Sequence, residues 1–236
     1  LVHSAPVYYD NTVYVGGNDG MLHAFNAQTG FERFAYVPNL VLENLHHLTD
    51  INYGHKYFVD GTPVVKNLNG DIILVCGLNK GGKGYFALDV TNAGTFHGSI
   101  SDSHDEATAA SFFKWEYPQR GSSDADMGYS YSTAAIVLSN EGGAGSYTDD
   151  YKVVFGNGYN STNGHAVLYV LNASDGSLLA KIDTGVGDSG NPNGLSTPTV
   201  VDVNFDYRAD FAYAGDLRGN LWKFDLTDPV PSNWKV

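Results

Sequence analysis

At 236 residues the chain suits one all-β domain or two small ones, and with 42% hydrophobic against 17% charged residues it can bury a core and is not disordered. A net charge of −13, with no basic stripe, excludes the clustered cations that nucleic acid or an anionic lipid surface requires. No apolar run approaches the ~20 residues of a membrane-spanning helix, so direct membrane insertion is not expected. The single cysteine, Cys76, lies in the run Ile72-Ile73-Leu74-Val75-Cys76, allows no intrachain disulfide and reads as a small buried hydrophobe. The chain begins at Leu1 without a recognisable signal peptide and is expected to be a segment of a longer protein.

In chain order, one pattern recurs. Ser4-Ala5-Pro6-Val7 opens the first copy. Val13-Tyr14-Val15-Gly16-Gly17 follows, then the turn Asn18-Asp19-Gly20, then Met21 to Asn26, and Glu32 to Tyr36 reads as a further strand. The second copy runs from Gly61-Thr62-Pro63-Val64-Val65 through Ile73 to Gly77, a glycine-rich loop, Tyr85 to Asp89, and Phe112 to Tyr117. The third has Ser132 to Val137 without proline, Lys152 to Gly156, a longer loop, Val167 to Asn172, and Leu178 to Asp183. The fourth has Ser196-Thr197-Pro198-Thr199-Val200, Phe211 to Gly215, the turn Asp216-Leu217-Arg218-Gly219, Asn220 to Asp225, and a last strand from Trp234.

Four short strands per unit, repeated, are the signature of propeller blades. The expected fold is therefore all-β, a β-propeller of the quinoprotein type. The blades fall at about 1–38, 57–118, 128–185 and 194–236 of a single propeller segment, with inserts at 39–56 and 92–111. The insert carrying Leu45-His46-His47 is expected to form a short helix, and 118–127 reads as a surface loop. Four blades lie at the low end of known rings, and open sheet edges favour closure, so the segment is expected to be part of a larger ring.

The segment VVDVNFDYRADFAYAGDLRGNLWKFDL (200–226) places Asp202, Asn204, Asp206 and Asp210 between two strands. A turn needs one or two such residues. The spacing D-x-N-x-D-x-x-x-D matches positions 1, 3, 5 and 9 of a calcium-binding loop, with the backbone carbonyl of Arg208 at position 7. Two positions depart from that loop. Tyr207 stands where glycine makes the sharp turn, and Tyr213 stands where a closing glutamate is usual, which leaves Asp210 to close the site. The expected ligand is one Ca²⁺; the plainer alternative is a solvated acidic turn.

Other constellations are weaker. Gly77-Leu78-Asn79-Lys80-Gly81-Gly82-Lys83-Gly84 nearly spells a phosphate-binding loop, but Gly84 replaces the Ser or Thr and a strand follows instead of a helix, so a hairpin loop is expected. His46, His47 and His55, and separately His97 and His104, fit no standard zinc spacing and read as polar loop residues. No nucleophile–base arrangement stands out, so no catalytic residue is assigned.

The stretches YFVDGTPVV (57–65), LVCGLNKGGKGYFALDVT (74–91), VVFGNGYNS (153–161) and NGLSTPTVVDVNFDYRADFAYAGDLRGNLWKFDL (193–226) resemble the C-terminal β-propeller of the PilC/PilY family, type IV pilus-associated adhesins and biogenesis factors. The resemblance covers most of the chain, and its Ala-Gly-Asp-Leu-x-Gly-Asn-Leu-Trp run is the most specific part. It implies a non-enzymatic, exported module at the bacterial surface, outer-membrane-associated or at the pilus tip. It also implies calcium at Asp202, Asn204, Asp206 and Asp210. The partners it implies are minor pilins, the pilus machinery and host-cell receptors, with roles in pilus biogenesis, retraction, twitching motility and adhesion. The alternatives are a pyrroloquinoline-quinone dehydrogenase, suggested by VYVGGNDGMLHAFNAQTG (13–30), and a scaffold propeller of outer-membrane assembly.

Overall fold

The computed structural model describes residues 2–96, 107–108, 110–143 and 151–236. The chain divides into two compact units, Leu1–Ser122 and Ser123–Val236. Each holds two antiparallel sheets in which sequence neighbours pair in order.

In the first unit, one sheet comprises β1 (Val7–Tyr9), β2 (Thr12–Gly16), β3 (Leu22–Asn26) and β4 (Glu32–Tyr36). The other comprises β5 (Val64–Leu68), β6 (Asp71–Gly77), β7 (Tyr85–Asp89) and β8 (Phe113–Tyr117). In the second unit, β9 (Ala135–Leu138), β10 (Tyr151–Gly156), β11 (His165–Asn172) and β12 (Leu178–Gly187) form one sheet. The other has β13 (Thr199–Val201), β14 (Phe211–Gly215) and β15 (Leu221–Asp225), and the expected fourth strand is reduced to a single bridge between Asp225 and Lys235. The four repeats read from the sequence are thus four blades.

The first strand of each blade starts later than its sequence signal. Pro6, Pro63 and Pro198 precede β1, β5 and β13 because proline has no N–H for the ladder. The small residues before them make a corner instead. Ser4 Oγ accepts the Gly16 N–H at 3.0 Å, Ser132 Oγ accepts the Gly156 N–H at 2.9 Å, and Ser196 Oγ donates to the Gly215 carbonyl at 2.9 Å. The next residue reaches the following blade: the Ala5 N–H donates to Thr62 Oγ1 at 3.0 Å, and the Thr133 N–H to Thr197 Oγ1 at 3.0 Å.

Strand periodicity puts alternate side chains on the face between the two blades of a unit. In the first unit Tyr14, Leu22, Ala24 and Phe34 meet Leu74, Cys76, Phe86 and Leu88, all buried. Phe34 packs on Phe112 at 4.8 Å, and Phe112 on Phe96 at 5.3 Å. In the second unit Val154, Leu168, Val170 and Ile182 meet Ala212, Ala214, Phe224 and Leu226. Each large side chain buried in this way contributes roughly 1.5–3 kcal/mol. Cys76 is buried as expected, its thiol donating to the Gly77 carbonyl at 3.2 Å, and burial raises its pKa. The insert at 39–56 contains a 3-10 helix, Asn39–Thr49. It docks where the buried Glu116 carboxylate accepts the Asn39 N–H at 2.7 Å and the Tyr36 hydroxyl at 2.8 Å.

Two kinds of polar contact fix the loops. Asn157, fully buried, uses all four of its hydrogen-bonding positions. Its Nδ2 donates to the carbonyls of Asp126 and His165, and its Oδ1 accepts the N–H groups of Val167 and Leu195. His23 is held between Asp19 (Nε2, 2.9 Å) and Glu32 (Nδ1, 2.6 Å), and His165 reaches Asp183 (Nδ1, 2.6 Å). Burial pulls the His23 imidazolium pKa down, but hydrogen bonds to Glu32 and Asp19 outweigh it and the net direction is upward from 6.5. For His165 the hydrogen bond to Asp183 dominates, and its pKa also rises from 6.5.

Replacing Asn157 with Leu strands two buried N–H groups and two part-buried carbonyls and is expected to cost about 2–4 kcal/mol, read as a lowered urea midpoint. A histidine with a raised folded pKa binds its proton more tightly when folded. The His23 and His165 contributions are therefore full below the unfolded value of 6.5 and are lost as pH rises through the raised folded values. The melting temperature is expected to fall as pH rises above about 6.5. The double variant His23→Gln/His165→Gln should flatten that slope.

Candidate metal centre

Residues 202–210 connect β13 to β14 in the last blade. Val201 pairs with Phe211, so the chain leaves and re-enters the ladder at adjacent positions and the nine-residue connection closes on itself. Asp210 fastens its base. The Asp210 N–H donates to the Val201 carbonyl at 2.9 Å, its carbonyl accepts the Leu226 N–H at 2.9 Å, and its Oδ2 accepts the Val203 N–H at 2.8 Å. At 3% exposure Asp210 is the buried carboxylate of the set.

The other three predicted donors turn their oxygens into the loop. Asp202 Oδ1 accepts the N–H groups of Asn204 (3.2 Å) and Phe205 (2.6 Å), and its Oδ2 accepts the Tyr207 N–H at 2.7 Å. Asn204 Oδ1 accepts the Asp206 N–H at 2.9 Å, and Asp206 Oδ1 accepts the Arg208 N–H at 2.9 Å. The intervening side chains face outward: Val203 is 55% exposed, and Phe205 and Tyr207 are each 85% exposed. Val203, Phe205 and Tyr207 thus point to solvent while the acidic and amide oxygens bond N–H groups of the loop, an alternation that ends at Arg208 and Ala209, both buried.

The sharp turn normally made by glycine is made by Tyr207 at φ = 70°, and Phe205 also lies in the left-handed region at φ = 65°. Holding an L-residue there costs on the order of 1 kcal/mol or more. The far arm of the loop is anchored on the preceding blade. The Arg208 guanidinium, buried, donates to the Ser139 carbonyl, the Ala209 N–H donates to the Leu138 carbonyl at 2.8 Å, and Asn140 Nδ2 donates to the Ala209 carbonyl at 2.9 Å. Arg208 therefore does more than present a backbone carbonyl.

The donor set is oxygen-only, three carboxylates and one amide, and that chemistry fits a hard divalent cation. The cage is not drawn closed. Among the described residues no three Asp, Glu, His or Cys side chains converge as a metal-binding group, and Asp202, Asp206 and Asp210 instead serve the loop's own N–H groups.

The remaining sequence candidates fall on structural roles. Residues 77–84 close the β6–β7 hairpin, and a Cβ on Gly81 would collide with the Phe58 carbonyl, so close backbone approach accounts for glycine there. His46 Nδ1 reaches the Glu43 carbonyl and His47 Nδ1 reaches Asp50, while His55 packs edge-on against Tyr57. His97 and His104 lie outside the described residues.

The sequence reading passed over Asp216. Its Oδ2 accepts Asn193 Nδ2 (2.8 Å), Asn220 Nδ2 (2.9 Å) and Trp222 Nε1 (2.8 Å), and its Oδ1 accepts the N–H groups of Arg218 and Asn220. Burial opposes its charge, but these donors hold the carboxyl far below the usual carboxylate range. The signal was present, since the Gly-Asp-Leu-x-Gly-Asn-Leu-Trp run spells out the acceptor and two of its donors.

The sequence profile of the PilY1 beta-propeller domain matches residues 4–233. The type IV pilus biogenesis factor PilY1 of Pseudomonas aeruginosa strain UCBPP-PA14 is 42% identical over 221 residues, covering 91% of this chain and 17% of that protein. The chain thus spans about a sixth of that relative's length. The crystal structure of the Pseudomonas aeruginosa PilY1 C-terminal domain matches with a TM-score of 0.71 at 36% identity, over 95% of this chain and 43% of that one. The crystal structure of BamB from Moraxella catarrhalis, at a TM-score of 0.51 and 15% identity over 96% of this chain and 47% of that one, shares the fold alone. With a family profile matched from end to end and a relative at this identity, the chain belongs to the PilY1 β-propeller family.

Proposed function

We propose that this chain is a calcium-binding, non-catalytic surface module of a type IV pilus biogenesis factor, acting in pilus extension and retraction and in adhesion. The observation that carries the pilus assignment is 42% identity to PilY1 along 91% of the chain. The calcium assignment rests on the inward-facing oxygens of Asp202, Asn204, Asp206 and Asp210. No helix among the described residues is long and apolar enough to cross a membrane. The module's place is at the bacterial surface, where its partners are minor pilins, the pilus machinery and host-cell receptors.

The loop's chemistry suits a regulated connection. Three carboxylates within nine residues repel one another, and a divalent cation would turn that repulsion into attraction. Asp202, Asn204, Asp206 and Asp210 would supply side-chain oxygens, with the Arg208 carbonyl completing the set. Because Ala209, Arg208 and Asn140 fasten the same loop to the preceding blade, a change in its stiffness reaches the contact between blades.

Calorimetry is expected to give one calcium site with a dissociation constant of about 10⁻⁴ to 10⁻³ M. Asp206→Ala should abolish it with the urea midpoint in chelator unchanged. Tyr207→Gly, which relieves the left-handed strain, should tighten binding about three- to tenfold. Equal affinity in wild type and Asp206→Ala would remove the loop as the site. In cells the Asp206→Ala protein should alter surface pilus number and twitching, and normal piliation despite lost binding would sever the ion from pilus control. Quinone-dependent dye reduction by the purified chain would reject the non-catalytic reading.

A further inference from the structure

The corner between paired blades is built twice from the same parts, and the two copies differ. In the first unit His3 precedes Ser4, Asn18 lies two residues after Gly16, and Asp60 precedes Gly61-Thr62. The matching positions of the second unit are Tyr131 before Ser132, Gly158 after Gly156, and Leu195 before Ser196-Thr197. In the first corner the Asp60 carboxylate, 3% exposed, receives His3 Nδ1 at 3.0 Å and Asn18 Nδ2 at 3.3 Å, so a polar latch occupies the space. In the second corner Leu195 and Gly158 cannot make that latch, and a cleft of about 290 Å³ lies in its place.

Its lining is mostly apolar and aromatic. Tyr131 and Tyr159, 44% and 36% exposed, stand with ring centroids 5.5 Å apart, and Leu217, 66% exposed, supplies an aliphatic wall. The backbone fixes this arrangement: the Tyr129 N–H donates to the Tyr159 carbonyl at 2.8 Å and the Tyr131 N–H to the Tyr129 carbonyl at 2.8 Å. Among the described residues Asp216 is the one charged residue lining the cleft, and no lysine or arginine lines it. Its five donors come from the protein itself, so its negative charge is fixed in place.

An anion is repelled by Asp216 and by a chain of net charge −13. A sugar needs unengaged planar polar groups, and Asp216 has its oxygens occupied. A flat, weakly hydrated cation satisfies all three features, because a guanidinium stacks on tyrosine faces, its methylene stem packs on leucine, and its charge faces a carboxylate. We propose that the cleft between the third and fourth blades receives an arginine side chain of a partner polypeptide. A polypeptide is favoured over free arginine because the free amino acid brings, beside its ammonium, a carboxylate that no cation of the described lining can pair.

The test is a titration of the full 236-residue chain, with labelled tyrosine rings observed by NMR, using N-acetyl-arginine amide, N-acetyl-citrulline amide, N-acetyl-norleucine amide and free arginine. The arginine amide is expected to shift the Tyr131 and Tyr159 signals saturably in the millimolar range. The citrulline and norleucine amides and free arginine should each bind at least about threefold more weakly, and added salt should weaken the arginine amide. Tyr159→Leu should reduce its binding by about three- to fivefold, with the other tyrosine signals reporting an intact fold. Absence of saturable shifts, or equal binding of the citrulline or norleucine amide, overturns the proposal. Equal binding of free arginine overturns the polypeptide source. The ligand series on the unaltered chain decides the matter even if Tyr159→Leu does not fold.

Discussion

Backbone meets backbone where two blades join, and the rest of each unit depends on that approach. Gly16 ends β2 against the carbonyls of Val59 and Gly61, and Gly156 ends β10 against those of Leu195 and Ser196. A Cβ at either glycine would collide with those oxygens, so a larger residue would push the neighbouring blade away. The serines before β1 and β9, Ser4 and Ser132, then take up the N–H that the close approach leaves at Gly16 and Gly156. With the corners seated, the apolar faces meet at core spacing: Phe34 reaches Phe112, and Phe224 enters a cluster with Leu168 and Val170.

Buried polar groups at these corners set how the loops run. Asn157 ties the end of β10 to Leu195 of the next blade and to Asp126 of the preceding loop with no position left over. Asp216 does the corresponding work one blade on, but as an anion surrounded by donors. Both stand directly after the glycine that ends the second strand, where the chain must turn and its N–H groups need acceptors. In the first unit Asn18 and Asn79 stand one residue later, and both lead to Asp60. One backbone plan thus tolerates a different polar solution at each blade, provided every buried donor is met.

The 202–210 loop is built on the same economy, with a constraint added. Its carboxylates serve as acceptors for its own N–H groups, which keeps nine residues ordered outside the ladder. That order forces Phe205 and Tyr207 into left-handed backbone and turns both rings to solvent. Arg208 provides the compensating anchor, since its buried guanidinium binds the preceding blade at Ser139. Strain at the tip thus sits beside fixation to the preceding blade through Arg208, Ala209 and Asn140.

Much of this was legible in the residues alone. Strand identity and blade count followed from period-two apolar runs separated by Gly, Asn and Asp, because local turn chemistry and pleat alternation are written position by position. The even spacing of Asp202, Asn204, Asp206 and Asp210 was legible for the same reason, since it lies within one short segment. Strand starts were misplaced by the prolines, whose effect is to exclude residues from a ladder that only pairing reveals. The last strand shrank to the bridge at Lys235. What the sequence could not display was any contact between positions far apart in the chain. Asp60 is 57 residues from His3 and Asn157 is 38 from Leu195. Tyr131 and Tyr159 become neighbours only when two strands close the corner between them. Local patterning therefore determined the blades. Tertiary packing decided which corner is filled by a carboxylate and which is left open between tyrosines, because that outcome depends on residues that share space without sharing sequence.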